Sequence, residues 1–297
     1  MRAGVLDIGG TAIKSGLWDG TSLSQVRETP TPCDSAEALT ETAVKLLTSL
    51  APLDAAGVST RGQVGGAGEI LFDNGPIPDY TGTPLRAILE ERLGIPVRVE
   101  NDVNAAALGE ACLGAGRGAR DFLCITYGTC VGGAIFQNGA LWRGANYSAG
   151  EFGAMQLFSE NPQGEGGLCA AFYENLAATS ALVRLAQAID PSLENGRQIC
   201  ARWEDPLLRP AIDRWVRYVS LGLSTLIHIF DPPLLVLGGG IMQDGRVVAQ
   251  VEDCTRGMLM PGFESVRFVP AQLGNSAGLV GAGSLAEQAF KQENSAL

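Results

Sequence analysis

Short β-rich runs alternate along the chain with stretches of helical spacing, which predicts an α/β protein with covered sheets. "AGVLDIG" (3–9) has the apolar density of a buried strand, and "TAIKSGLWDG" (11–20) reads as its hairpin partner, turning at Asp19-Gly20. A helix is expected over 35–50, a strand over 54–60, and a helix over 83–94 that Gly94 is placed to stop. "IPVRVE" (95–100) predicts a strand, and the alanine-rich stretch from Asp102 to Gly114 a helix. A second β meander begins at "DFLCITYGT" (121–129). Helices near 170–190 and 207–229, a strand over 234–239, a helix near 245–257, a strand near 265–269 and a terminal helix near 276–291 complete the pattern. No linker or low-complexity tract interrupts it.

The chain also echoes itself. "DIGGTAIKSGLWDG" (7–20) and "TYGTCVGGAIFQNG" (126–139) both run strand, glycine-threonine corner, strand, turn. Aligned without gaps, Gly9 meets Gly128, Asp19 meets Asn138 and Gly20 meets Gly139. Two hairpins can be alike by chance; duplication of a domain would instead turn both corners toward one shared cleft.

At 297 residues the chain is long enough for two lobes, and 46% hydrophobic with 18% charged residues is ordinary for a packed globular protein. A net charge of −11 argues against a nucleic-acid partner. No run of 18 apolar residues and no leader-like opening is present, so a cytoplasmic protein without membrane contact is expected. The seven cysteines include no CxxC pair and read as thiols in a reducing compartment.

Candidate chemistry sits where strands end in glycine. A strand ending in "DIGGT" offers backbone N–H groups that no side chain obstructs, as close approach to phosphate oxygens requires. Thr11 adds a hydroxyl, Lys14 a cation, and Asp7 a hard oxygen donor able to hold Mg²⁺ directly or through water. "YGTCVGG" (127–133) is a second cradle of the same kind, and "LGGGI" (237–241) suits flat packing against a nucleobase or ribose. None of the three is the GxxxxGK[ST] P-loop. In "VENDVNAAALGE" (99–110), Asp102 stands where a strand hands over to a helix, so it can act as a base, cap the helix, or both. Glu100 reads as structural, and Glu110 lies too far down the helix for the same task.

"LDIGGTAIK", "VENDVNAAALGE", "ITYGTCVGGAIFQNGALWRG", "AGEFG" and "DPPLLVLGGGI" stand in the order and spacing of the ROK family of bacterial sugar kinases, which this chain resembles over nearly its whole length. The resemblance implies a duplicated actin-like ATPase (ribonuclease H-like) α/β fold, two lobes around a central cleft. It divides the chain into a smaller lobe of 1–103 plus about 280–297 and a larger lobe of 104–279. It implies ATP and Mg²⁺ as cofactors, a small-molecule sugar as partner, and a dimer. Carried over by motif, Asp7, Gly9, Gly10, Thr11 and Lys14 form the first phosphate element, Gly128, Thr129 and Gly133 the second, and Gly238, Gly239 and Gly240 the adenosine element. Asp102 falls on the general base, and Asn101 and Glu151 on sugar-binding positions. No DNA-binding segment stands ahead of Met1, so the repressor branch of the family is not expected.

The chain departs from the pattern in two places. Ala154 stands at the histidine position of a structural zinc site, and the following loop has Cys169 alone, so no zinc is expected. The β-glucoside kinases of the family share this absence, and a small residue there leaves room at the anomeric end of the sugar. Glu174 aligns with the glutamate of the lost loop and is a further sugar-binding candidate. Cys130 replaces a glycine in the second corner; either it alters ATP binding, or a backbone at negative φ accommodates it. Tyr80 is placed either to stack on a sugar or to pack, His228 reads as a satisfied core histidine, and Trp142 and Arg143 either edge the cleft or form a β corner. The implied activity is transfer of the γ-phosphoryl of ATP to the 6-hydroxyl of a hexose or β-glucoside. A glucokinase or N-acetylmannosamine kinase and a non-catalytic sugar or nucleotide sensor are the alternatives.

Overall fold

In the computed structural model, which describes residues 1–157 and 172–296, the first apolar run forms β1 (Ala3–Ile8) and turns back as β2 (Ala12–Trp18). The chain continues into β3 (Leu23–Pro30), a strand the hydrophobic pattern does not reveal, since almost every residue in it is exposed. α1 (Ala36–Thr48) starts at Ser35, whose hydroxyl accepts from the Ala38 N–H at 3.1 Å. β4 (Ala55–Thr60) then runs parallel to β1. A small hairpin follows, β5 (Gln63–Val64) with β6 (Ile70–Phe72), and then α2 (Leu85–Leu93), ended by Gly94 at φ 66°. β7 (Val97–Asn101) passes directly into α3 (Asp102–Leu113). The sheet order is β3-β2-β1-β4-β7.

The second sheet repeats this plan. β8 (Phe122–Tyr127) pairs antiparallel with β9 (Val131–Gln137), which pairs with β10 (Ala140–Leu141). After α4 (Tyr173–Ala177), α5 (Thr179–Gln187), α6 (Gly196–Ala201) and α7 (Arg209–Phe230), β11 (Leu234–Gly238) runs parallel to β8. α8 (Gly245–Arg256), β12 (Arg267–Pro270) and α9 (Ala277–Ala296) complete the chain, and the order is β10-β9-β8-β11-β12. Each sheet thus has a three-stranded antiparallel meander with two parallel strands added beside its first strand, so duplication accounts for the echo in the sequence. The corners differ by one residue: Ile8 pairs with Ile13, but Tyr127 with Val131.

The helix expected over 170–190 is broken at Ala178, whose backbone is extended at ψ 158°. The buried Trp215 indole N–H lies 2.9 Å from the Ala177 carbonyl and 3.0 Å from that of Ala178, supplying a donor where the helix stops.

Two compact units result: residues 1–118, 143–149 and 275–297 form the first, and 119–142 and 150–274 the second. Residues 104–118, 143–149 and 275–279, assigned from sequence to the larger lobe, fall in the first unit, the first and last of them because α3 packs on α9. Small residues let the two backbones approach so closely that a Cβ at Gly281 would overlap the Ala105 carbonyl. β4 is buried along its whole length. Its Ala56 and Val58 join Leu6, Ile8, Leu39, Leu47, Leu85 and Val97 in the core beneath α1 and α2. Its Gly57 faces α9, so Asp7, Ser59, Arg98 and Glu100, at alternate positions or in register with them, lie toward α9 as well. No helix among the described residues is long and apolar enough to cross a membrane.

Candidate active site

In the first unit, β1 delivers Asp7 to the start of α9. Its carboxylate accepts from the Ser59 hydroxyl at 2.7 Å and stands 3.7 Å from the Lys14 ammonium. It lies so close to Gly278 that a Cβ there would be 2.6 Å from Oδ1. Lys14 also donates to the Asn275 carbonyl at 3.0 Å. In the corner at 9–12, Gly9 N–H donates to the Ala12 carbonyl at 3.0 Å. Thr31 ties down the corner's carbonyls: its hydroxyl donates to Gly9 O at 2.8 Å and its N–H to Thr11 O at 3.0 Å. The N–H groups of Gly10 and exposed Thr11 find no acceptor among the described residues. A corner with satisfied carbonyls and unspent N–H groups is an anion cradle.

The strand-to-helix junction at 101–102 divides its labour. Asn101 caps α3, its Oδ1 accepting from Val103 N–H at 2.9 Å and Asn104 N–H at 3.2 Å. Its amide Nδ2 donates to the Gly62 carbonyl at 2.9 Å. Glu100 is buried behind it and accepts from Asn101 N–H and the Asn104 amide, both at 3.0 Å, and from Arg143 at 2.6 Å. Glu100 is therefore structural, as read, and Arg143 is its counter-ion and not a simple β corner. Asp102 opens to solvent at the first helical position, its Oδ1 accepting from its neighbour Val103 N–H at 2.9 Å. Desolvation by the surrounding protein pushes its carboxyl up from 3.8 to about 6. The Val103 N–H opposes this, the Asp7 charge adds to it, and Arg61 and Asn101 oppose it. The result is an accessible but poorly hydrated carboxylate.

In the second unit, the corner at 128–130 is held in the same manner. The Thr179 hydroxyl donates to Tyr127 O at 2.9 Å and the Ser180 hydroxyl to Thr129 O at 2.7 Å. Gly128 N–H donates to Cys130 O at 3.0 Å, and Cys130 is absent from the residues with positive φ. Its backbone therefore accommodates a side chain, and both Thr129 and Cys130 are exposed.

Beside this corner lies a cavity of about 690 Å³ lined by Tyr127, Gly128, Thr179, Gly196, Gly240 and Asp244, among others. The size suits a nucleoside. Of the three candidate adenosine glycines only Gly240 lines it. Gly238 is buried on β11 against Thr126. Gly239, at φ 97°, lies so near β8 that any Cβ would overlap the Tyr127 carbonyl. Gly133, assigned to the second phosphate element, packs beneath Phe152 and the Gly150 carbonyl. Exposed Glu151 precedes the short turn Phe152–Ala154, and a Cβ at Gly153 would be 3.0 Å from the Glu174 carboxylate, so both candidate sugar ligands flank that turn. Cys169 and the segment 159–170 lie outside the described residues.

Of three further residues, only His228 departs from its reading. Tyr80 packs: it is 1% exposed, its hydroxyl shares a hydrogen bond with Thr60 at 2.6 Å, and burial pushes its pKa up to about 12. His228 is exposed at the end of α7, its Nε2 accepting from Met260 N–H at 3.1 Å and its ring edge-on to Phe263. Trp142, at 49% exposure, is a surface residue. Thr31, Ser59, Arg61, Thr179 and Ser180 are the contributors that sequence reasoning missed.

A family model describing the ROK family matches residues 3–289. The chain belongs to the ROK family. It is 34% identical to a β-glucoside kinase of Listeria innocua over 292 residues, 95% of this chain and 96% of that protein. The crystal structure of a ROK hexokinase from Thermus thermophilus matches with a TM-score of 0.83 at 34% identity, covering 98% of this chain and all of that one. A ROK family glucokinase from Streptomyces griseus, in complex with glucose and AMPPNP, matches with a TM-score of 0.79 at 33% identity over 97% of this chain and 100% of the other. The fold is therefore the actin-like ATPase fold of the ROK sugar kinases, and small-molecule sugar and ATP are the ligands of the class.

Proposed function

We propose that this ROK protein is an ATP-dependent carbohydrate kinase transferring the γ-phosphoryl group to the 6-hydroxyl of a hexose or β-glucoside, with Asp102 as general base. The observation that carries the reading is Asp102 itself. It is a solvent-accessible carboxylate whose pKa is pushed up to about 6, near enough to Asp7 for that charge to act on it, and Asp7 stands on the strand that runs into the glycine corner with unspent N–H groups, in a chain of this family. A base poised near the working pH takes the acceptor hydroxyl's proton as the oxygen attacks phosphorus.

Asn101, held between the α3 cap and Gly62, supports one wall of the sugar site. Glu151 and Glu174 are the carboxylates assigned to sugar hydroxyls, and Ala154 leaves the anomeric end open, which favours a glycoside over a free hexose. Gly10, Thr11, Lys14, Gly128 and Thr129 bind the phosphates, and the cavity at Gly240 takes the nucleoside. Asp7, oxygen-rich and held by Ser59, fits Mg²⁺ in the water-mediated way that ion favours. The ion would neutralise charge on the triphosphate. The reading includes no structural zinc, no nucleic acid, a cytoplasmic location and a homodimer.

The test is a coupled assay with Mg²⁺ and ATP across glucose, N-acetylmannosamine, mannose, fructose, allose, cellobiose and gentiobiose. Turnover with a disaccharide supports the glycoside reading. Turnover with monosaccharides alone discards it and keeps the mechanism. Sugar binding without turnover makes the chain a sensor.

A further inference from the structure

Residues two apart on a strand share a face, so Arg98 and Glu100 of β7 project together toward α9. There, with Arg86, Arg143, Tyr147 and the glycine turn at 65–68, they line a separate cavity of about 200 Å³. Its charges are unevenly matched. Arg86 pairs with Glu90 at 3.0 Å and Arg143 with Glu100 at 2.6 Å. Arg98 meets no carboxylate at ion-pair distance among the described residues and donates to the Gln292 amide oxygen. Burial, then the like charges of Arg143 and Arg86, hold the Arg98 pKa below its ordinary value, with Glu100 opposing. The remaining carboxylate nearby, Glu69, lies under Gly65 and accepts from Ala67 N–H at 3.0 Å.

Tyr147 is held in a left-handed conformation, φ 58°, with its hydroxyl over Gly66, where a Cβ would lie 2.5 Å from it. Neither that hydroxyl nor the Gly66 N–H has a hydrogen-bond partner among the described residues. The cavity therefore collects one unneutralised guanidinium, one unspent hydroxyl and one unspent N–H. All three are donors.

We propose that this cavity binds a phosphate group through Arg98, Tyr147 and Gly66 N–H, and that its occupancy is felt at the sugar site through Glu100. A guanidinium fork matches phosphate oxygens, and the volume seats the group with room for a small substituent. Arg143 lines the same cavity while neutralising Glu100, whose other oxygen holds Asn101 N–H and the Asn104 amide. An anion that draws the Arg143 guanidinium toward itself loosens Glu100 and, with it, the Asn101 cap. Sugar binding weakens in consequence. The group has two sources, free inorganic phosphate or the phosphoryl group of a sugar phosphate.

Calorimetric titration of the full chain with inorganic phosphate, at constant ionic strength and with AMPPNP saturating the nucleotide site, reads the binding directly. One saturable site is expected, weakened about tenfold or more in Arg98→Gln, the range for losing a charged hydrogen bond. Tyr147→Phe is expected to weaken it severalfold, and it carries the test alone if Arg98→Gln does not fold. Glucose 6-phosphate, titrated in a second arm, identifies the sugar phosphate as source if it displaces inorganic phosphate, and free phosphate if it does not. Equal phosphate binding by the parent and both variants, or none by the parent, overturns the proposal. In steady state, phosphate should raise the sugar KM in the parent and not in Arg98→Gln. An effect seen only as competition with ATP overturns the link to Glu100. Heat of binding needs no turnover, so a chain silent in the kinase assay leaves the first arm intact.

Discussion

Asn101 and Asp102 share the start of α3 unequally: the amide caps the helix, and the carboxylate beside it opens to solvent. Replacing Asp102 by Asn should therefore lower kcat by about 10²–10⁴-fold, the usual range for a lost general base, with sugar affinity changed by no more than a few-fold. Isothermal titration with the preferred sugar beside steady-state kinetics separates the two effects. Near-normal turnover would remove Asp102 from the mechanism.

The elevated carboxyl also makes a prediction about pH. Catalysis needs the ionised form, so kcat/KM should rise tenfold per pH unit below an apparent pKa near 6 and level above it. Stability runs the other way. A carboxyl whose pKa is higher folded than unfolded loses stability as pH rises from 3.8 through about 6. Asp102→Asn should escape this loss, its melting temperature gaining on the parent over that window and holding the advantage above it. Because the Asp7 charge helps raise the value, Asp7→Asn should lower the Asp102 pKa in a carbon-13 NMR titration.

Glu100 is 4% exposed and answers to Arg143, Asn101 and Asn104 together. Glu100→Gln leaves a half-exposed guanidinium without its partner and should destabilise the chain by about 2 kcal/mol, below the figure for a fully buried pair. The sugar KM should rise more than kcat falls, since Asn101 and not the base loses its support. Urea unfolding and kinetics on one preparation check both.

Gly239 combines positive φ with a backbone approach that excludes a side chain. Gly239→Ala should raise the ATP KM about tenfold through displacement of the β11 end and leave sugar affinity intact. Gly57 makes a matching prediction for stability, since its added methyl would overlap the Ala282 carbonyl on α9. Gly57→Ala should cost about 2 kcal/mol or more.

Motifs that carry chemistry on contiguous residues were legible. Asp7 in "DIGGT", Asp102 in "END" and the twin hairpins all hold positions the sequence pattern anticipates. What supports those motifs was not, because it arrives from elsewhere in the chain. Thr31, Ser59, Thr179 and Ser180 reach their carbonyl or carboxylate partners across 22 to 52 residues, and a lone hydroxyl leaves no periodic trace. Gly133 and Gly238 show the converse: a glycine in a glycine-rich motif can serve packing against a neighbouring element. His228 had a usable signal. The buried positions of α7 run through Val219, Leu223, Leu226 and Ile227, and the next residue falls off that stripe.

β3 was invisible for a related reason, and its concealment has a use. An edge strand offers unpaired N–H and C=O groups to any passing chain, and a long apolar edge would invite fusion of one sheet with another. This edge is polar nearly throughout, carries Arg27 and Glu28, ends in Pro30, and is disturbed by a register shift opposite Ser15 and Leu17 and by positive φ at Gln25. The features that deny the strand a hydrophobic signature also deny it a partner, so the sheet ends where the fold needs it to end.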